Sequence, residues 1–417
     1  MFMTSAANHL QPLNGNNLYF YLVADCMKRF CYVFVLLVLS SPVFSQTGLP
    51  VKPHKVAVFV PLYLDSAFNS SSNYQYGKTF PKFLSPGLEF YEGVQLAADS
   101  LNKTAAAFDI SVYDTRSSAT SVSNVIRSAD FEGVELIIGQ VNKDELVQLA
   151  DVAKKKNILF INSNLPNNYG VTDNASLVIL NSTLRTHIMA IHKFLQKGYA
   201  TSPLVVFTKK GDMEQRLIGY FTDIERNSAS VFLKPKYVTL NTNFTAQQLL
   251  PYLDSNRVTM CIAGSLDEQF AKQLSMNLAV LNKTYPVQIM GMPTWDGIKD
   301  FEKKDYKGLE IFYTTPFYNA KTDRASTSII NYFKSNLYSR PTDMVFRGYE
   351  CFMRFAKMLL DNGTGTTTAA VGEKKYKVFS DFDIQPILNN QTFTLDYYEN
   401  RKLYFVKLVD GSVRGVY

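Results

Sequence analysis

VELIIGQVNKDELVQLADVAKKKNILFINSN, residues 134–164, reads as strand, helix and strand. The apolar run Val134 to Ile138 stops at Gly139, and a second run, Ile158 to Ile161, stops at Asn162, Ser163 and Asn164. Between them Leu146, Leu149, Ala150 and Ala153 recur on one helical face. Asn142 stands three residues before Glu145, the spacing of a reciprocal N-terminal cap. Lys154, Lys155 and Lys156 fall where a helix's negative end favours cations, and Asn157 suits the left-handed residue that ends it. Two strands joined through a helix must be parallel neighbours with a right-handed crossover. Ligands of open parallel sheets sit beyond the carboxyl ends of the strands, so Gly139 to Asn142 and Asn162 to Asn164 are the first places to look for a site.

The same alternation runs outward in both directions. Upstream, KVAVFVPLYL (55–64) is a buried strand, a polar and aromatic loop extends to Ser85, a helix opens at Gly87, and 108–113 is a strand ending in Asp114, Thr115 and Arg116. A second helix is expected over 119–130. Downstream, strand and helix patterns repeat from Leu177 to Tyr313. Two helices without a strand between them follow, at 326–338 and 345–360, and then strands alone from 376 to 417. A chain of 417 residues with 46% hydrophobic and 19% charged residues is too long for one ordinary core. The expectation is an α/β protein of two doubly wound, Rossmann-like lobes facing a cleft.

MKRFCYVFVLLVLSSPVFS, from Met27, has the basic start, short apolar run and small final residue of a secretory signal over 27–45, with 1–26 upstream of the true start. The alternative is an uncleaved signal anchor. Gln46 stands where a lipoprotein needs cysteine, so the expected location is periplasmic or secreted, without membrane insertion after cleavage. Of the four cysteines only Cys261 and Cys351 lie beyond that segment, both in apolar surroundings that suit buried free thiols better than a disulfide. The net charge of +7 is mild and the lysines are scattered, which argues against nucleic acid. No metal-ligand cluster, phosphate loop, dinucleotide fingerprint or nucleophile elbow appears, so neither a cofactor nor an enzymatic reaction is expected.

Several of these stretches together resemble type I periplasmic binding proteins, which include the branched-chain amino acid binding proteins of ABC importers. The resemblance rests on Pro61-Leu62 after the first strand, the helix motif from Gly93 to Asn102, Asp114 at a strand end and Ile137-Ile138-Gly139. FRGYECFMRFAKMLL (346–360) is similar to a further helix motif of that family, with Glu350 and Cys351 replacing its last two residues. It implies two lobes joined by three crossings, with residues 52–178 plus 318–362 as lobe one and 179–317 plus 363–417 as lobe two. It also implies capture of a small polar ligand, an amino acid or a relative, by lobe closure, with an inner-membrane ABC permease as partner. The rival reading is the same fold used as a protein-contact or cell-envelope regulatory module.

The residues expected to bind the ligand follow strand ends. On lobe one they are Tyr63, Arg116, Gln140, Asn142, Ser163 and Asn164, and on lobe two Lys209, Asp267, Trp295 and Tyr313. Exposed helical amides suit a carboxylate, and Arg116 has the fork for an anion. Asn142 is also a cap, and Trp295 also suits packing. A second arginine, Arg347, beside Gly348 at a helix start, is open to two readings, a ligand contact like that of Arg116 or a pairing with Asp343 alone.

Overall fold

A computed structural model describes residues 52–102, 108–228, 232–363 and 371–416, and residues 53–417 form one unit. The segment assigned to a signal peptide lies outside the described residues. Two seven-stranded sheets carry the fold. The first holds β1 (His54–Val60), β2 (Phe108–Asp114), β3 (Val134–Gly139), β4 (Leu159–Asn162), β5 (Leu177–Ile179), β11 (Ile384–Leu388) and β12 (Leu395–Asn400) in the order β11-β12-β5-β4-β3-β1-β2. The second holds β6 (Leu204–Thr208), β7 (Lys236–Thr239), β8 (Thr259–Ala263), β9 (Val287–Met290), β10 (Glu310–Thr315), β13 (Tyr404–Val409) and β14 (Ser412–Gly415) in the order β14-β13-β10-β9-β8-β6-β7.

Strands buried on both faces read as continuous apolar runs, and β1 illustrates why. Val56, Val58 and Val60 enter one core while Ala57 and Phe59 enter the core on the opposite face. Val58 sits opposite Val112 of β2 and Ile138 of β3, both parallel. The first core is covered by α1 (Ser85–Asn102), α6 (Arg324–Tyr332) and α7 (Asp343–Asn362), and the opposite face by α2 (Lys143–Lys156). The second sheet is flanked by α3 (Leu184–Gly198), α4 (Asp212–Arg226) and α5 (Glu268–Leu281).

The strand–helix–strand unit at 134–164 forms as its sequence dictates. Asn142 Oδ1 accepts from the Glu145 amide and Glu145 Oε2 accepts from the Asn142 amide, closing a capping box. Asn157 ends the helix at φ 53°. The helix expected over 119–130 is corrected to a single turn, Val122–Val125, and a 3-10 turn, Ala129–Phe131. Here Thr120 and Ser128 hydroxyls donate to the carbonyls of Asp114 and Val125, so short polar side chains satisfy the backbone in place of a helical ladder.

A second correction concerns the tail. Residues 363–417 do not all join the second sheet: β11 and β12 extend the first, with β12 parallel to β5, and only β13 and β14 join the second. The last crossing therefore follows Asn400. It is fastened by buried polar groups, because a crossing strand leaves backbone groups without a ladder. Glu399 Oε1 accepts from the Thr183 amide at 2.8 Å and from the Thr186 hydroxyl at 2.6 Å, and Ser182 donates to the Asn400 carbonyl at 2.6 Å. First and third crossings are thus tied side by side. Cys261 and Cys351 are buried and unbridged. Among the described residues no helix is long and apolar enough to cross a membrane, and no cluster of candidate metal ligands occurs.

Candidate functional site

The carboxyl ends of both sheets carry the loops where the sequence placed its candidates, but most of those side chains serve the protein itself. Asn164 clamps Val141 by accepting from its amide and donating to its carbonyl, both at 2.9 Å. Ser163 donates to the Gly139 carbonyl, and Asn142 is occupied by its cap. Arg116 pairs with Glu145 at 2.8 Å and lies over the Tyr63 ring. Burial pushes the Glu145 carboxyl up, while the Asn142 amide and Arg116 pull it back. Gln140 is buried, with Nε2 near the Met344 sulfur and Oε1 without a partner. These six are brought to one end of the first sheet, yet most of their polar side-chain atoms are taken up by Glu145 or by the backbone of Gly139 and Val141. The signal for that was present, since Asn and Ser after strands bond local backbone as readily as a ligand.

On the second lobe, Lys209 and Asp267 pair at 2.8 Å beside a broad outer depression, and Lys209 together with the Phe270 amide holds the Asp267 carboxyl low. Trp295 is a core residue, 1% exposed, its ring lying where a side chain on Gly291 would stand. Tyr313 lines an interlobe cavity, and burial pushes its phenol up, so it is present as a neutral hydroxyl. The aromatics after β1 form an edge-to-face string through Tyr63, Phe83, Tyr76 and Tyr74, with Phe80 and Phe83 exposed.

The cleft is built instead around Arg347 and Asp296. Arg347 is on the first turns of α7, and Asp296 is in the 3-10 turn Pro293–Gly297 that follows β9. Arg347 Nη2 donates to Asp296 Oδ2 at 2.9 Å, an ion pair between a helix covering the first sheet and a turn of the second lobe. This corrects the expected Arg347–Asp343 pairing, since Asp343 pairs with Lys321. The guanidinium stacks 4.6 Å from the Phe317 ring on the second crossing, which fixes its plane. Burial pushes the Asp296 carboxyl up, against the downward pull of Arg347.

Two cavities share this pair. One of about 250 Å³ is lined by Pro166, Asn181 and Leu184 around the first crossing and by Leu266, Pro293 and Pro316 opposite. The other, of about 430 Å³, is more polar and includes Lys299, Tyr313, Asn319, Lys321 and Glu350. Arg347 was open to a ligand role in the sequence but was not among the ten residues expected there, and Asp296 was not anticipated at all. An arginine preceding Gly348 in an amphipathic helix gives no sequence signal of a partner in the other lobe.

His187, in α3 just after the first crossing, also touches the smaller cavity, and its Nδ1 lies 2.7 Å from the Thr314 hydroxyl of β10. Burial lowers its pKa from 6.5 to about 3. Above pH 6.5 both folded and unfolded chains hold it neutral. Below that the unfolded chain takes up a proton the fold refuses, so stability is lost as pH falls from 6.5 towards 3, by up to ~1.4 kcal/mol per pH unit. His187→Gln is expected to flatten the fall in melting temperature between about pH 7 and pH 5, and an unchanged slope would contradict this assignment.

Neither a protein-family model nor a curated protein matches the sequence. Solved structures do match over nearly the whole described chain. A leucine binding protein from Thermotoga maritima is 16% identical with a TM-score of 0.52, covering 87% of this chain and 98% of its own. A branched-chain amino acid transporter substrate binding protein from Streptococcus pneumoniae, solved with isoleucine, is 13% identical with a TM-score of 0.51 over 87% and 98%. A branched-chain amino acid ABC transporter periplasmic ligand-binding protein from Burkholderia xenovorans is 14% identical with a TM-score of 0.56 over 87% and 94%. Two seven-stranded α/β sheets, linked by chain crossings and matched in this way, give the chain the two-lobed fold of the type I periplasmic binding proteins.

Proposed function

We propose that this protein captures a small polar ligand, an amino acid or a related compound, between its two lobes and releases it unchanged, as the substrate-binding component of an ABC importer acting in the periplasm. The observation that carries this reading is the pair of cavities around Arg347 and Asp296, lined from both lobes and bordered by the chain crossings. A ligand there touches both lobes at once, so lobe closure encloses it and a few fixed polar groups orient it. Affinity then comes from enclosure and hydrogen bonding, with no covalent step. The solved structures similar to this chain include proteins described as leucine binding or complexed with isoleucine, which supports the amino acid class.

A thermal-shift screen with amino acids, small organic acids, peptides and sugars tests the proposal. A ligand that binds only the folded state stabilises it by ~2.7 kcal/mol at one hundred times its Kd, so at least one compound is expected to raise the melting temperature. No shift across the whole screen would count against capture of a small solute and favour a protein-contact role for the same fold.

A further inference from the structure

Arg347 has a donor to spare. Its Nη2 is held by Asp296, but its Nε is buried and has no partner among the described residues. An unpaired buried donor on a charged group is costly, so a site that keeps one is incomplete without an acceptor. The guanidinium fork is matched to a carboxylate, which can take two parallel donors where Asp296 takes one. The smaller cavity beside it is largely apolar, with Leu184, Leu266 and three prolines in its wall, and its volume of about 250 Å³ admits only a compact group.

We propose that the ligand is a compact apolar carboxylate whose acid group is received by Arg347, and that Asp296 occupies part of that carboxylate's place while the cleft is empty. This rests on the capture reading above and specifies its chemistry. The apolar part of the ligand fills the cavity walled by Leu184, Leu266 and the prolines. Asp296 is then a competitor built into the second lobe, released from Arg347 when the ligand arrives. Asp296 is suited to release, because its other side-chain contact is a long one of 3.3 Å from the Thr315 hydroxyl.

The test compares acids with their neutral amides on the unaltered protein by calorimetric titration: leucine against leucinamide, 4-methylpentanoate against 4-methylpentanamide, and benzoate against benzamide. At least one acid is expected to bind about 10- to 100-fold more tightly than its amide, the worth of a charge-assisted contact. Arg347→Gln is expected to erase that preference, while Asp296→Asn, which removes the competitor, is expected to tighten binding of the acid. Acid and amide binding equally would overturn the inference and leave capture of a solute standing. Weakening by Asp296→Asn as severe as that by Arg347→Gln would overturn the competitor role. Binding by no compound of the panel, with neutral sugars shifting the melting temperature, would refute the carboxylate class alone, and silence from every compound would remove both readings.

Discussion

Replacing Glu350 by alanine is expected to destabilise the protein by about 3–5 kcal/mol, lowering its melting temperature by about 5–10 °C. Glu350 is 3% exposed, in the second turn of α7, and its carboxylate accepts from the Phe379 and Ser380 amides and from the Ser380 hydroxyl. One turn further on, Arg354 is 1% exposed and donates to the Val371 and Glu373 carbonyls. Its guanidinium lies 5.5 Å from the Phe382 ring. Alanine at 350 leaves two amides unpaired and a buried arginine without its neighbouring negative charge. Burial pushes the Glu350 carboxyl up, against the pull of those donors and of Arg354. Glu350→Gln keeps an acceptor and the shape, so its loss should be clearly smaller. Equal melting temperatures for the alanine variant and the parent would show that this network contributes nothing to stability.

The second large effect is steric. In α1 and α7 the backbones touch through glycines: a Cβ on Gly348 would stand 2.0 Å from the Phe90 carbonyl oxygen, and one on Gly93 would stand 2.0 Å from that of Val345. Neither obstacle is a side chain that can swing aside. Gly348→Ala or Gly93→Ala must push the two helices apart across the core they share, at an expected cost of about 3 kcal/mol. Gly219, in α4, meets nothing within 4 Å, so Gly219→Ala should instead stabilise by about 0.5–1 kcal/mol. Measuring the three variants together separates packing from helix propensity, and destabilisation by all three to the same degree would contradict the close-packing account.

Both features were partly legible in the sequence. The Gly93 to Asn102 and FRGYE stretches carried the family resemblance, and in the structure they are the two helices in contact. The two-lobed α/β layout was legible because buried parallel strands have one dominant signature, a short apolar run ending at a polar or glycine turn. Residues 119–130 misled, because helix-like composition there competes with Ser and Thr side chains that bond the backbone locally. The tail misled for another reason: strands that pair with distant partners look the same whichever sheet they join. Nothing in LDYYEN marks it as a neighbour of β5 rather than of β10.

The proposed binding residues were the least legible. Asn142, Ser163 and Asn164 stand where expected, yet they close loops, and Trp295 fills the core. Arg347 and Asp296 are 51 residues apart on different lobes, and only folding brings them together. A charge on an amphipathic helix reads as a solvated face until the opposing lobe is known.

Trp295 offers the most direct measurement, because it is the protein's single tryptophan and directly precedes Asp296 in the turn that forms one wall of the cleft. Titrating its fluorescence with the leucine, 4-methylpentanoate and benzoate panel reports on that turn without any label. If ligands are captured between the lobes at Arg347 and Asp296, at least one compound gives a saturable change in emission that Arg347→Gln moves to higher concentration. A flat trace for every compound, or a saturable change that Arg347→Gln leaves untouched, would contradict the account.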